Sequence, residues 1–464
     1  MLLLVINNMK ETDIDYGSLR TTRNTVETDT DRRCRVERLA LADESTPLIT
    51  DDYSNDVIKD RCGLVFFIFL FQGIGVMLPW HLFMTSKSYF TEYKMAKAGN
   101  ADYRLNFLSY IGIASQVPNM AWNGMNLFCQ RNSRSGSTTR IVISLLVLVS
   151  LFVMTTIFAV VDSYEWPEIF FAVTIMTVVL VNAMSGIYIN SIYGLAAMFP
   201  KHYVNATMTG ANVSGLVMSL LLLVTKFSDT DRSSAIYFFI AGTLVLLVAL
   251  DTMLALPFSR YFRLIVSESA TANTFAQHES LPYGKTFKKI WVQLVDVWAH
   301  RFITMCVYPA MVVDVKRFNE DFFVPEYLYE DIMCYMLSNI AAVVGNLCCY
   351  LFHKPSTKYT IIPLALRALG IVLLVLCNYR PDTRSFPVLI KSDWAFMIVV
   401  IVMGLTNGYY SGLTMMYAKT AAGSDARMQR TAGMMAGFVQ SIGFFMGHQF
   451  TLLITYFVEN LAIS

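Results

Sequence analysis

The stretch GLVFFIFLFQGIGVMLPWHLFMT, residues 63–85, carries no charged side chain and shows no strict alternation of apolar and polar positions. At about 1.5 Å of rise per helical residue, some twenty such residues cross the roughly 30 Å hydrocarbon core of a bilayer. Backbone groups in lipid must pair within their own segment or in a closed barrel, and a run without period-two patterning points to the helix. Similar runs recur near 105–128, 140–161, 167–199, 204–226, 234–257, 289–313, 332–352, 359–378, 394–418 and 431–457. The chain therefore reads as an all-α polytopic membrane protein with about 11 transmembrane helices.

Composition agrees. Hydrophobic residues make up 55% of the 464 and charged residues 15%, with a mean hydropathy of +0.48. A soluble domain averages about 25% charged residues. The formal net charge of +2 is too small to imply a nucleic-acid partner. The eight cysteines (Cys34, Cys62, Cys129, Cys306, Cys334, Cys348, Cys349, Cys377) form no CxxC pair and have no neighbouring His set, so they read as small packing residues. The apolar Met1–Ile6 is too short for a signal-peptide core. No HExxH, GxSxG or GxxxxGK[ST] pattern, kinase set or metal spacing is present, so neither an enzyme nor an ATP-driven pump is expected, and no cofactor. The lipid bilayer is the one partner that composition itself implies.

Along the chain, residues 1–60 are polar and read as a disordered cytosolic tail. Residues 61–257 form a six-helix bundle, 258–288 a cytosolic linker and 289–464 a five-helix bundle. Orientation follows from basic residues flanking the segments. Loop 129–140 has Arg131, Arg134 and Arg140 without an acid, whereas 314–331 sets Lys316 and Arg317 against Asp314, Glu320, Asp321, Glu326, Glu330 and Asp331. This places the N-terminus in the cytosol and, after an odd number of crossings, the C-terminus outside. Loop 86–104, with Lys87, Lys94, Lys97 and Arg104 on the outer face, runs against the rule.

Several residues could carry chemistry. Pro79 removes a helix hydrogen bond, so the first segment should be kinked or unwound near Leu78–Phe83, turning Trp80 and His81 toward a cavity. Ser115, Gln116, Asn119, Asn123 and Asn126 make the second segment polar, and Asn119, Asn123 and Asn126 share one face. Amides in hydrocarbon need partners, so that face points inward, as helix-to-helix glue or as cavity lining. Asn190 in the fourth segment and Asn407 in the tenth extend the polar set. Arg367 lies deep enough to require a partner. Asp296, His300 and Arg301 read either as a local ion pair or as a polar gate. Gly210, Gly215, Gly433 and Gly437 allow close helix approach, as plain packing or as a sliding seam.

Taken in order, these landmarks resemble the equilibrative nucleoside transporters from about Asp60 to the C-terminus. Gly73-Ile74-Gly75-Val76-Met77-Leu78-Pro79-Trp80-His81-Leu82-Phe83 is similar to that family's G-x-G-x-L-L-P-W-N-x-F signature. Ser191-Ile192-Tyr193-Gly194, Met208-Thr209-Gly210, Tyr308-Pro309-Ala310, Arg367 with Cys377-Asn378, Asp393-Trp394, Asn407-Gly408-Tyr409 and Ala432-Gly433 continue the match. The resemblance implies a six-plus-five, major-facilitator-like arrangement in the plasma membrane and facilitative, alternating-access transport of nucleosides or nucleobases. It further implies that Trp80 lies beside the base and that Met84 and Asn123 line the cavity; joined with the polar residues read above, the expected substrate site is Trp80, His81, Met84, Asn119, Asn123, Ile189, Asn190, Asn346 and Asn407, with Pro79, Gly210, Gly215, Arg367, Gly433 and Gly437 as structural or gating positions. His81 stands where the family has Asn, Ile189 where many members have Gln, and Ala342 and Asn346 where they have an Asp and an Arg. An organic-cation or monoamine carrier on the same scaffold and a transport-inactive scaffold are the alternatives.

Overall fold

The computed structural model describes residues 60, 63–86, 89–94, 107–129, 136–161, 166–225, 231–274 and 281–460. The expected tail 1–60 lies, but for Asp60, outside the described residues.

Each apolar run becomes a helix. The long helices are α1 (Leu64–Thr85), α2 (Phe107–Phe128), α3 (Gly136–Val160), α4 (Pro167–Ala196), α5 (Lys201–Thr225), α6 (Asp231–Ala255), α7 (Tyr283–Val307), α8 (Glu326–Leu351), α9 (Ile361–Leu376), α10 (Asp393–Ala421) and α11 (Ala426–Asn460). By length and composition, eight of them can cross a membrane. The other three are α2, rich in amides, α7, which carries Lys288, Lys289, Asp296 and Arg301, and the short α9. No strand occurs among the described residues. Phe67, Ile157, Met176, Leu244, Leu347 and Leu453 point outward from their helices, as side chains bathed in lipid do.

Glycine sets the closest crossings. Gly73 on α1 faces Gly210 on α5, and a Cβ on either would overlap a main-chain carbonyl, that of Thr207 or of Leu70. Gly345 on α8 and Gly408 on α10 meet in the same way against the carbonyls of Leu405 and Ala342. Helices after Pro282 also pack on those before Leu256: α4 and α2 on α11, and α5 on α8 and α10.

α1 runs unbroken through Pro79, so of the kink or unwinding expected there, the unwinding is corrected. Within the expected linker 258–288, Arg260–Thr274 is helical and α7 already begins at Tyr283. Tyr261, Phe262, Ile265 and Val266 lay one apolar side of that short helix on the core, while most of its other positions are polar and hide it from a hydropathy reading.

Candidate functional site

A cavity lies between the first six and the last five helices. It holds about 800 Å³ of unfilled space, solvent at its margin included, among side chains of α1, α5, α7, α8, α9, α10 and α11. Met77, Trp80 and His81 come from α1 and Asn212 from α5; Arg301, Thr304, Tyr308, Arg367, Asn407 and Phe444 stand opposite. Trp80 sets its ring at 85° to Phe444, with centroids 5.0 Å apart. Met77, Trp80 and Phe444 also border a second lobe of about 510 Å³, lined by Ser115, Gln116, Asn119, Ser185, Ile189, Gly437 and Gln440. The indole thus stands between a lobe with guanidinium groups and a lobe with neutral amides.

Among the described residues Arg367 finds no carboxylate. Its Nε donates to Thr406 Oγ1 at 3.0 Å and its Nη2 to Thr304 Oγ1 at 3.2 Å and the Met403 carbonyl at 3.4 Å, while Nη1 lies 3.0 Å from His300 Nδ1. Thr304 in turn donates to Asn407 Oδ1 at 3.2 Å, tying α7, α9 and α10 together beside the cavity.

The amides divide into two groups. His81 and Asn407 line the main cavity and Asn119 and Ile189 the second lobe. Asn123, Asn190 and Asn346 do not line either. Asn190 Nδ2 donates to Asn123 Oδ1 at 2.8 Å and to the Met434 carbonyl at 2.9 Å, Asn123 Nδ2 to the Gly437 carbonyl at 3.3 Å, and Asn346 Nδ2 to the Met208 carbonyl at 3.4 Å. All three are fully buried; each has its Nδ2 engaged across the seam or within its own half, while Asn346 Oδ1 has no hydrogen-bond partner among the described residues. Met84 is also buried outside both lobes, one turn beyond Trp80 on α1. Gly433 and Gly437 pack on Tyr193 of α4 and Gly215 on Asn339 of α8, so they lie at the seam between the two sets of helices; Gly210 packs within the first set.

These buried amides belong to a closure at one end of the seam. Beside them, Lys419 donates to the Phe199 carbonyl, Tyr283 OH to the Leu127 carbonyl at 2.7 Å and Arg430 Nη2 to Ser137 Oγ at 2.7 Å. The cavity sits beyond this closure, toward the ends of α1 and α7 at Thr85 and Val307. Removing a buried hydrogen-bonded amide costs about 1–3 kcal/mol, roughly a five- to 150-fold change in a two-state equilibrium. Asn190→Ala should therefore loosen this end, and maleimide labelling of a Met434→Cys reporter should rise several-fold. Unchanged labelling would show that Asn190 does not hold the seam shut.

Of the two readings open to Arg301, local ion pair or polar gate, it is the cavity wall that it joins, and Gln116, read only as part of a polar second segment, lines the second lobe. Asp296 and Arg301 form no ion pair: among the described residues the ion pairs are those of Arg380 with Asp314 and Glu459. An i to i+5 spacing rotates two helix positions about 140° apart, which was the available sign that Arg301 looks elsewhere.

The comparisons match this geometry. A family model described as "Nucleoside transporter" matches residues 175–281 and 266–456. Equilibrative nucleoside transporter 3 of Rattus norvegicus is 25% identical, covering 86% of this chain and 90% of its own length. Equilibrative nucleoside transporters 2 and 1 of Homo sapiens are each 26% identical, over 86% and 85% of this chain and 98% and 97% of theirs. In three dimensions the chain is similar to the major facilitator superfamily proton:xylose symporter XylE, with a TM-score of 0.58 at 9% identity over 86% of this chain and 91% of that one. A match across most of the membrane region, on a major-facilitator fold, places this chain in the nucleoside transporter family.

Proposed function

We propose that the protein is a facilitative carrier for nucleosides or closely related planar solutes, and not an enzyme. The observation that carries this reading is the Trp80-walled cavity between α1–α6 and α7–α11, shut at one end by hydrogen bonds that cross the seam. A solute admitted at the other end would leave when the two halves, residues 61–257 and 289–464, rock about it and the closure moves from one end to the other. With a cytosolic N-terminus, eleven crossings and a plasma-membrane address, the closed end faces the cytosol and the cavity faces outward. The named relatives are nucleoside transporters, and an indole beside neutral amides suits a heterocycle with donors and acceptors on its edge.

Two guanidinium groups and no carboxylate in the lining disfavour the organic-cation alternative, because like charges repel in a low-dielectric cavity. A transport-inactive scaffold would not need a cavity at the seam. Radiolabelled uridine and adenosine uptake into oocytes tests the proposal: uptake well above that of water-injected cells and independent of a sodium or proton gradient is expected. Uptake at the background level, with the protein at the surface, would refute it.

A further inference from the structure

The cavity is electrostatically one-sided. Its lining includes Arg301 and Arg367, 8% and 6% exposed, and no Asp or Glu. Arg367 is occupied by the Thr304, Thr406, His300 and Met403 groups. Arg301 is not: among the described residues its Nε has no hydrogen-bond partner and it enters no ion pair. Asp296, the acid nearest to it in sequence, is also buried, with Oδ2 unpartnered, and does not line the cavity. Arginine keeps its proton at any physiological pH, and a charge withdrawn from water is costly unless it is paired. The space beside Arg301 therefore favours a negative occupant.

On the other side of Trp80 the chemistry is neutral. Gln116 is 5% exposed and lines the second lobe, and among the described residues neither its amide atoms nor Ser185 Oγ, in the same lobe, has a hydrogen-bond partner. An amide offers donors and an acceptor in one plane, the complement of a heterocycle edge.

We propose that the preferred solute is an anionic nucleoside or nucleobase derivative, its ring against Trp80 with its edge toward Gln116, and its carboxylate or phosphate monoester on Arg301. This deepens the carrier reading above and rests on it. The guanidinium plane can hold two oxygens of such a group at once; an uncharged nucleoside would leave Arg301 without a counter-charge.

The test offers radiolabelled uridine, uridine 5′-monophosphate and orotate separately to oocytes expressing the full chain, at neutral pH with a phosphatase inhibitor. At least one anion should enter faster than uridine. The ratio of anion to uridine uptake should fall about tenfold in Arg301→Gln, the loss of the charge-assisted contact, and fall less in Arg301→Lys, which keeps the charge but not the two-pronged fork. Uridine uptake with both anions excluded overturns the anion assignment and leaves the carrier standing, as does a ratio unmoved by Arg301→Gln. Wild-type protein at the surface that takes up none of the three overturns both. Should Arg301→Gln fail to reach the surface, thermal stabilisation of the purified wild-type protein decides: greater stabilisation by an anion than by uridine supports the assignment, and the reverse overturns it.

Discussion

Gly210→Val should yield no assembled protein at the membrane. A Cβ at Gly210 would overlap the Leu70 carbonyl oxygen and come within 3.0 Å of Gly73 Cα. Both obstacles are main chain, which cannot swing aside as a side chain does. Overpacking that side chains can absorb costs about 1–3 kcal/mol. Here α1 and α5 would have to separate, with loss of contacts along their whole crossing, and a fold stabilised by about 5–15 kcal/mol cannot absorb that. Surface biotinylation and a monodisperse gel-filtration peak measure the outcome. Gly284→Val is the control, since a Cβ there meets nothing within 4 Å. If the two variants behave alike, the close crossing is dispensable.

Trp80→Ala should abolish most uptake while leaving the protein at the surface. The indole is 9% exposed and borders both lobes. Stacking of a base on an aromatic side chain is worth about 1–3 kcal/mol, or roughly a five- to 150-fold change in affinity. Truncation would also merge the two lobes and allow a bound ring several orientations. Trp80→Phe, which keeps a flat apolar wall, should retain a larger share of uptake than Trp80→Ala. Uptake that survives Trp80→Ala unaltered would exclude this residue from the solute's path.

What the sequence made legible was whatever depends on a run or a local pattern. Uninterrupted apolar stretches announced the helices, and Trp80, His81 and Asn407 reached the cavity as their positions suggested. Less legible was which of two fates a buried amide meets. Asn119 and Asn123 lie one turn apart on α2, yet Asn119 borders a lobe while Asn123 is bound to Asn190 and Gly437. That choice is made by α4 and α11, helices distant in sequence, and no spacing on α2 encodes it. Pro79 misled in the opposite direction: it removes a hydrogen bond, but one missing donor did not end the helix. Arg301 stayed undecided between ion pair and gate because Asp296, near it in sequence, suggested a partner that the helical rotation denies it.

The closure at the seam is lopsided in what it asks of heredity. Lys419, Tyr283, Asn190, Asn123 and Asn346 give their protons to the carbonyls of Phe199, Leu127, Met434, Gly437 and Met208. Every residue but proline brings the same carbonyl and amide, and even proline keeps the carbonyl, so an acceptor position can drift in side chain without forfeiting its bond. Donor positions have no such latitude. Substitutions that leave this carrier jammed open at that end should therefore collect at the five donors and spare the residues they grip.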